Sequence, residues 1–349
     1  MPIARHPDNP ILRPADVPPS IPDFRVMGVF NAGVAVYGEE TILLLRVAEA
    51  PVGENEIEIR VPLLDENRGT VIVERFSADD PRYDFSDSRV IREGSRVVRL
   101  TSMSHLRVAR SRDGVRFSVD AHPFLYPENA SEAWGIEDPR ITPLPDGFYI
   151  AYSAVSSSGV AVGLARTADF RGVERLGLML SPENKDAALF PEPVGGRWFA
   201  LHRPVPHSFG EPEMWISESP DLVHWGNHRH LLGLRPGRWD GARIGGGAVP
   251  IRTDRGWLVL YHGADAAHRY CMGAVLLDAN DPGKVLARSS RPILEPEAEY
   301  EVNGFFGKVV FSCGALLDGD TIRMYYGAAD ETMALAKFSL QDVYDTFDG

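Results

Sequence analysis

A chain of 349 residues with 44% hydrophobic and 24% charged side chains is long enough for a sizeable core and carries no low-complexity tract, which excludes a largely disordered protein. Its formal net charge of −13 argues against a sequence-independent grip on nucleic acid or on an anionic membrane, because both need an excess of cations on the contacting face. A small neutral or locally captured ligand fits better, with a homo-oligomer left open.

In chain order, residues 1–22 come first, rich in proline and charge and without a basic segment leading into an apolar one. They are expected to form an N-terminal extension and not a signal peptide. No later run reaches about 18 apolar residues, so the cytoplasm is the expected compartment. Strand-like segments follow at residues 41–47, 147–153, 198–202, 256–261 and 321–326, each short, β-branched or aromatic, and bounded by Gly, Pro or Asp. Amphipathic helices of ten or more residues are not evident. The two cysteines, Cys271 and Cys313, lie in apolar strand-like runs and read as buried reduced thiols.

The segments recur in a fixed order. A strand ending in a polar residue, a loop, and a second strand closing in a turn of small residues and Asp appear over residues 148–169, 198–221, 257–278 and 322–342, and residues 108–114 supply the same closing turn. The closing residues Asp113, Asp169, Asp221, Asp278 and Asp342 lie 52 to 64 residues apart. That period holds about four strands with their turns, the size of one propeller blade. The prediction is an all-β protein, a five-bladed β-propeller in a single domain over residues 1–349, with 41–47 as the inner strand of the first blade. A sandwich or two stacked all-β domains would need a Pro-, Ser- or Gly-rich linker in mid-chain, and the loops there are too short to be one.

In a propeller, polar residues at the ends of inner strands face the central channel. Here they are Asn31 and Arg46; Glu137, Asp138 and Arg140; Lys185 and Arg203; Asp240 and Arg243; His262; and Asp330. Singly, each has a structural explanation: Asp138 before Pro139 could cap a turn, His262 could be a core histidine, and Arg203 half of an ion pair. Together, unlike charges recurring at the same place in successive blades point to one shared site. Residues 245–247 are all glycine but lack a following Lys and Ser or Thr, so they read as a close backbone approach and not as a phosphate loop.

Cleaving a glycosidic bond takes a carboxylic acid to protonate the leaving oxygen and, for inverting hydrolysis, a second carboxylate to activate water. Phosphorolysis needs only the first, with cations to hold phosphate in line with the anomeric carbon. Lys185, Arg203 and His262 are candidates for that cationic cradle, and with four Lys against 32 Arg a channel-facing lysine stands out. No zinc-ligand spacing, HExxH or GxSxG is present, so no metal is assigned, although a channel Ca²⁺ is left open.

From NPIL at residues 9–12 through VFNAGV, LLLRVAE, SRDG, GIEDPRIT, FPEPVGGRWFALHRP, IGGGAVPI, YHGAD and LLDANDP to YYGAAD, the sequence resembles glycoside hydrolase family 130, the β-mannoside phosphorylases and related mannosidases. The resemblance implies a five-bladed propeller with Asp138 as general acid, Asn31, Arg46 and Asp330 on the transferred mannosyl ring, and Lys185, Arg203, His262 and Tyr270 on phosphate. Asp240 is counted with the sugar-binding set as one of the channel-facing polar residues at inner-strand ends. Two departures are visible: the position of Lys185 is Arg in several relatives, and Asp186 stands where Asn is usual. The implied reaction is inverting phosphorolysis of a short manno-oligosaccharide to α-mannose 1-phosphate, β-1,2 slightly ahead of β-1,4. Its proton is relayed through the sugar 3-hydroxyl, and no cofactor is needed beyond inorganic phosphate as co-substrate. Asp138 should then have a raised pKa, helped by its neighbour Glu137. An inverting β-mannosidase and a non-catalytic sugar-binding propeller are the alternatives.

Overall fold

In the computed structural model, which describes residues 3–53 and 57–347, five antiparallel sheets surround one central pocket as the blades of a β-propeller. From the inside outward the first blade runs Phe24–Tyr37, Glu40–Pro51, Met103–Ser111 and Ser118–Val119. The second runs Gly135–Leu144, Gly147–Ser156, Gly159–Thr167 and Glu174–Leu180, and the third Asn184–Leu189, Trp198–Pro204, Met214–Ser219 and Gly226–Leu232. The fourth has Arg243–Gly246 innermost, then Gly256–Ala264, Tyr270–Leu277 and Val285–Arg288, with Ile251–Thr253 also pairing to Gly256–Ala264. The fifth runs Val310–Asp318, Thr321–Ala328 and Thr332–Ser339.

The second strands are the most continuously apolar, which is why they dominate the sequence: Ile42 to Leu45 are fully buried, as are Trp257 to Val259. They are not innermost. Residues 41–47 form the second strand of the first blade, and Phe24–Tyr37 lies inside it. Inner strands carry glycine and polar residues toward the pocket and so read weakly as strands, whereas second strands are covered by apolar layers on both faces.

The recurring aspartates sit between third and fourth strands. In each of four blades one carboxylate oxygen accepts two backbone amides of the turn, as Asp113 does from Val115 and Arg116 at 2.8 Å each and Asp221 from Val223 and His224 at 2.9 and 2.8 Å. Asp169 and Asp278 do the same. Asp342 differs, because its strand leads into the short helix Leu340–Tyr344 and its carboxylate accepts from the Ser339 amide in a capping box.

The fifth blade takes its outer strand from the other end of the chain. Ala4–Arg5 pairs with Lys337 and Ala336, so residues read from sequence as an extension close the ring. Asn9 acts like a strand residue beside them, its side chain exchanging two hydrogen bonds with the Leu335 backbone at 3.0 and 2.9 Å. The Arg5 guanidinium grips the buried Glu301 through Nε at 2.8 Å and Nη2 at 2.9 Å.

The first blade also holds an unforeseen insertion. Between its second and third strands lie two hairpins, Glu58–Asp65 with Thr70–Ser77 and Val90–Glu93 with Arg96–Leu100. The spacing of closing aspartates starts at Asp113, downstream of the insertion, and could not register it.

Candidate active site

The inner strands are bent where the chemistry sits. Each of the first three blades has a bulge in its inner strand, and its first unpaired residue is left-handed: Asn31 at φ 49°, Asp138 at φ 48° and Asp186 at φ 56°. A non-glycine residue in this region is uncommon and is tolerated where surrounding structure holds it. Pro139, with no amide to donate, follows Asp138 inside the bulge, where a ladder bond is already missing. The fifth blade has the same irregularity between Phe311 and Gly314.

These bulges open onto a pocket of about 310 Å³. Of the nine residues assigned from sequence, Asn31, Arg46, Asp138, Lys185, Arg203, His262, Tyr270 and Asp330 line it. Asp240 does not. It is fully buried outside the pocket, where its carboxylate is bonded by Arg235, by the Tyr261 hydroxyl at 2.8 Å and by Arg288 at 2.5 Å. A carboxylate so fully partnered has a structural part, and its assignment to sugar binding is corrected.

One side of the pocket is built on a shared arginine. Arg46 donates to Asp138 Oδ1 at 2.9 Å, to Glu137 Oε1 at 2.7 Å and to Ser104 Oγ at 3.0 Å, with its guanidinium over the Phe30 ring at 4.6 Å. Asn31 Nδ2 donates to the same Asp138 oxygen at 3.0 Å, while the buried Asn31 Oδ1 is without a protein partner. Burial pushes the Asp138 carboxyl up, but Arg46, Lys185 and Arg140, together with the Asn31 hydrogen bond, outweigh it and hold the pKa below the ordinary value. The raised carboxyl is Asp330, pushed up to about 6 by burial and then by Asp138 and Glu137, against the pull of Arg46 and Arg89. The expectation of a raised pKa at Asp138 is thus corrected. Glu137 is an ion-pair partner of Arg46, and the pocket carboxyl shifted upward is Asp330.

The other side is built on a shared carboxylate. Asp186 is fully buried and accepts from Arg203 Nε at 2.7 Å and from Arg140 Nη2 at 3.3 Å. Burial pushes it up, yet Arg203 foremost, with Arg140 and Lys185, holds it far below the carboxylate range. Arg140 is tied down further by the carbonyls of Asp138 at 2.8 Å, Gly246 at 2.8 Å and Gly247 at 3.1 Å. The glycine run lets the His262 ring lie close against the inner strand: a Cβ on Gly245 would come within 2.6 Å of it.

His262 departs from the cation foreseen. Burial lowers its pKa to about 3, with Asp186 opposing and Arg203, Arg140 and Lys185 reinforcing, so the imidazole is neutral at neutral pH. Its Nε2 stands 3.5 Å from Asp186 Oδ2, too long for a strong hydrogen bond, and its buried Nδ1 has no protein partner. The ring is available as a hydrogen-bonding group and not as a charge. Tyr270 accepts a 2.9 Å bond from Arg243 Nη1, and the buried Arg243 Nε also lacks a partner, which places Arg243 with the basic set.

Sequence reasoning left two pocket contributors without a role and missed two more. Arg243 and Asp186 sit beside assigned residues, and the bulge repeated through FNAG, EDPR and KDAA was the signal for Asp186. Arg89 and Phe306 come from the insertion and from the connection between the fourth and fifth blades, which have no counterpart in other blades. The Arg89 guanidinium lies 3.8 Å from the Phe306 ring centre and pairs with Asp87 at 2.9 Å.

Residues 88–348 match the family model of glycoside hydrolase family 130, described as beta-1,4-mannooligosaccharide phosphorylase. The chain belongs to glycoside hydrolase family 130. A β-1,2-mannobiose phosphorylase of Listeria innocua serovar 6a is 49% identical over 346 residues, 98% of each chain. A 1,2-β-oligomannan phosphorylase of Thermoanaerobacter is 40% identical over 244 residues, 69% of this chain and 80% of that one. The solved β-1,2-mannobiose phosphorylase from Listeria innocua, in complex with β-1,2-mannobiose, superposes with a TM-score of 0.97 over 99% of each chain. Putative glycoside hydrolases at 20 to 22% identity share the fold, with TM-scores near 0.73.

Proposed function

We propose that this chain is an inverting β-mannoside phosphorylase, acting on β-1,2-mannobiose or a short β-1,2-oligomannan with inorganic phosphate. The observation that carries the reading is the state of Asp186. A hydrolase needs a carboxylate to activate water on the face opposite the acid. The carboxylates lining the pocket are Glu137, Asp138, Asp186 and Asp330, and Asp186 is the one on the basic side. Bonded to two arginines and held deeply ionised, it is a poor base. The same arrangement suits an anion that is already a nucleophile.

In this reading Asn31, Arg46 and Asp330 hold the mannosyl ring, and Lys185, Arg203, Arg243, Tyr270 and neutral His262 hold phosphate. A phosphate oxygen bonds to the anomeric carbon as the glycosidic C–O bond breaks, inverting its configuration. Asp138 gives up its proton, passed to the leaving oxygen through the 3-hydroxyl as the family resemblance implies. Arg46, Lys185 and Arg140 favour the ionised form of Asp138, so it must gain a proton as ligands bind. A phosphate dianion offsets the Lys185 and Arg140 fields that depress its pKa, and the sugar excludes water, so both shift it in the required direction.

The linkage rests on the full-length similarity to a β-1,2-mannobiose phosphorylase. The buried free thiols Cys271 and Cys313 accord with a reducing compartment, the cytoplasm. The test is a proton and phosphorus NMR time course on β-1,2-mannobiose with phosphate. The expected products are α-mannose 1-phosphate and mannose in equal amounts; a β-phosphate, or mannose alone, would refute the mechanism.

A further inference from the structure

The hairpin Val90–Glu93 with Arg96–Leu100, which lines the pocket through Val90 and Leu100, is rich in arginine for a chain of net charge −13: Arg89, Arg92, Arg96 and Arg99 lie within 11 residues. Two are paired, Arg89 with Asp87 and Arg99 with Glu74. Arg92 lies in the field of Asp84 and Asp87, but neither it nor the exposed Arg96 makes an ion pair among the described residues. Both line a groove of about 810 Å³ that runs from the hairpin to residues 156–159 at the tip of the second blade.

That groove joins the reaction pocket beside Arg243 of the basic side. The two share Arg243, Val90, Leu100, Val155 and Val160. Its floor continues the strand pair carrying the phosphate ligands: Lys185 pairs with Arg203, Asn184 with Pro204, and the next rung, Glu183 and Val205, lines the groove. Glu183, its carboxylate, is bonded by His207 at 2.9 Å. A second cavity, of about 320 Å³, adjoins the pocket at Val90, Ser102 and Phe305, against the innermost strands of the first blade. There Arg25 and Asp87 balance in charge.

In-line displacement puts nucleophile and leaving group on opposite sides of the anomeric carbon. With the phosphate ligands on the third and fourth blades, the two adjoining spaces divide between the two ligands. Resting on the phosphorylase reading, we propose that the arginine-lined groove is the route by which inorganic phosphate enters and mannose 1-phosphate leaves, with Arg92 and Arg96 guiding the anion. An anion approaching a protein of net charge −13 meets overall repulsion, and a cleft of locally positive charge offsets it by raising the anion's concentration at the mouth. The serines at 156–158 offer hydroxyls to the sugar of the departing product.

The test compares the parent protein with the double variant Arg92→Gln/Arg96→Gln on β-1,2-mannobiose, once phosphorolysis by the parent is established; its absence would overturn the phosphorylase reading itself and, with it, any phosphate route. At low ionic strength kcat/KM for phosphate should fall by roughly three- to tenfold, with KM for mannobiose unchanged and the salt dependence flattened. In the reverse direction KM for mannose 1-phosphate should rise and that for the mannose acceptor should not. Arg92→Lys/Arg96→Lys should behave as the parent. Unchanged phosphate kinetics, or a rise confined to mannobiose, would overturn the proposal, the latter marking the groove as a sugar path. Should the glutamine variant not fold, the parent still decides: its kcat/KM for phosphate must fall with added salt while that for mannobiose stays level, and a salt-independent phosphate term would refute the guide.

Discussion

The two sides of the pocket are electrostatic opposites. On the side of the first, second and fifth blades, the cation Arg46 sits among Asp138, Glu137 and Asp330; on that of the third and fourth, the anion Asp186 sits among Arg203, Arg140 and Lys185. Where cations are scarce, burial and neighbouring carboxylates push a carboxyl up, and Asp330 rises to about 6. Where cations are in excess, the carboxylate cannot take a proton, and the surplus charge awaits an anion. In the proposed reaction, proton donation and anion binding divide between these two groups of blades, with Asp138 at the seam, depressed by Arg46 from one side and Lys185 from the other.

Removing one residue at a time should expose that division. The largest effect is expected at the seam. Asp138→Asn removes the donated proton and should lower kcat on the order of 10²- to 10⁴-fold, while mannobiose still binds in a direct titration. Loss of mannobiose binding would assign Asp138 to holding sugar.

On the basic side, Arg203→Ala removes a charge-assisted contact of roughly 1.5 to 3 kcal/mol, so kcat/KM for phosphate should drop about ten- to hundredfold. KM for mannobiose should move far less. The reverse pattern would place Arg203 with the sugar.

The smallest effect concerns stability. The folded protein holds Asp330 at about 6, above its ordinary 3.8, so it binds this proton more tightly than the unfolded chain does. The resulting stability is fully present below the unfolded value and is lost as pH rises through 6. Asp330→Asn cannot ionise, so its Tm relative to the parent should climb between pH 4 and pH 7.5, by roughly 2 to 4 °C. A pH-independent difference would mean that Asp330 is not the strained carboxyl.

How far the sequence could be read follows from how local each signal is. The turn aspartates bond amides two and three residues ahead, and their recurrence set the blade count. Asp240 was misread because one of its partners, Arg288, is 48 residues distant, and before folding a buried ion-pair hub looks like a ligand. The Asp138 pKa depends on sharing Arg46, and the geometry of that sharing is not local either. The insertion bearing Arg89 has no counterpart in other blades, so a repeat-based reading had nothing to compare it with.

The central claim is that the basic side serves phosphate and that no carboxylate there activates water. It is tested most directly by the initial rate of β-1,2-mannobiose cleavage as phosphate is titrated from none to saturation. A phosphorylase gives a hyperbola through the origin. A rate without phosphate equal to the saturated rate would contradict the claim and make Asp186, or a water held near it, part of a hydrolase.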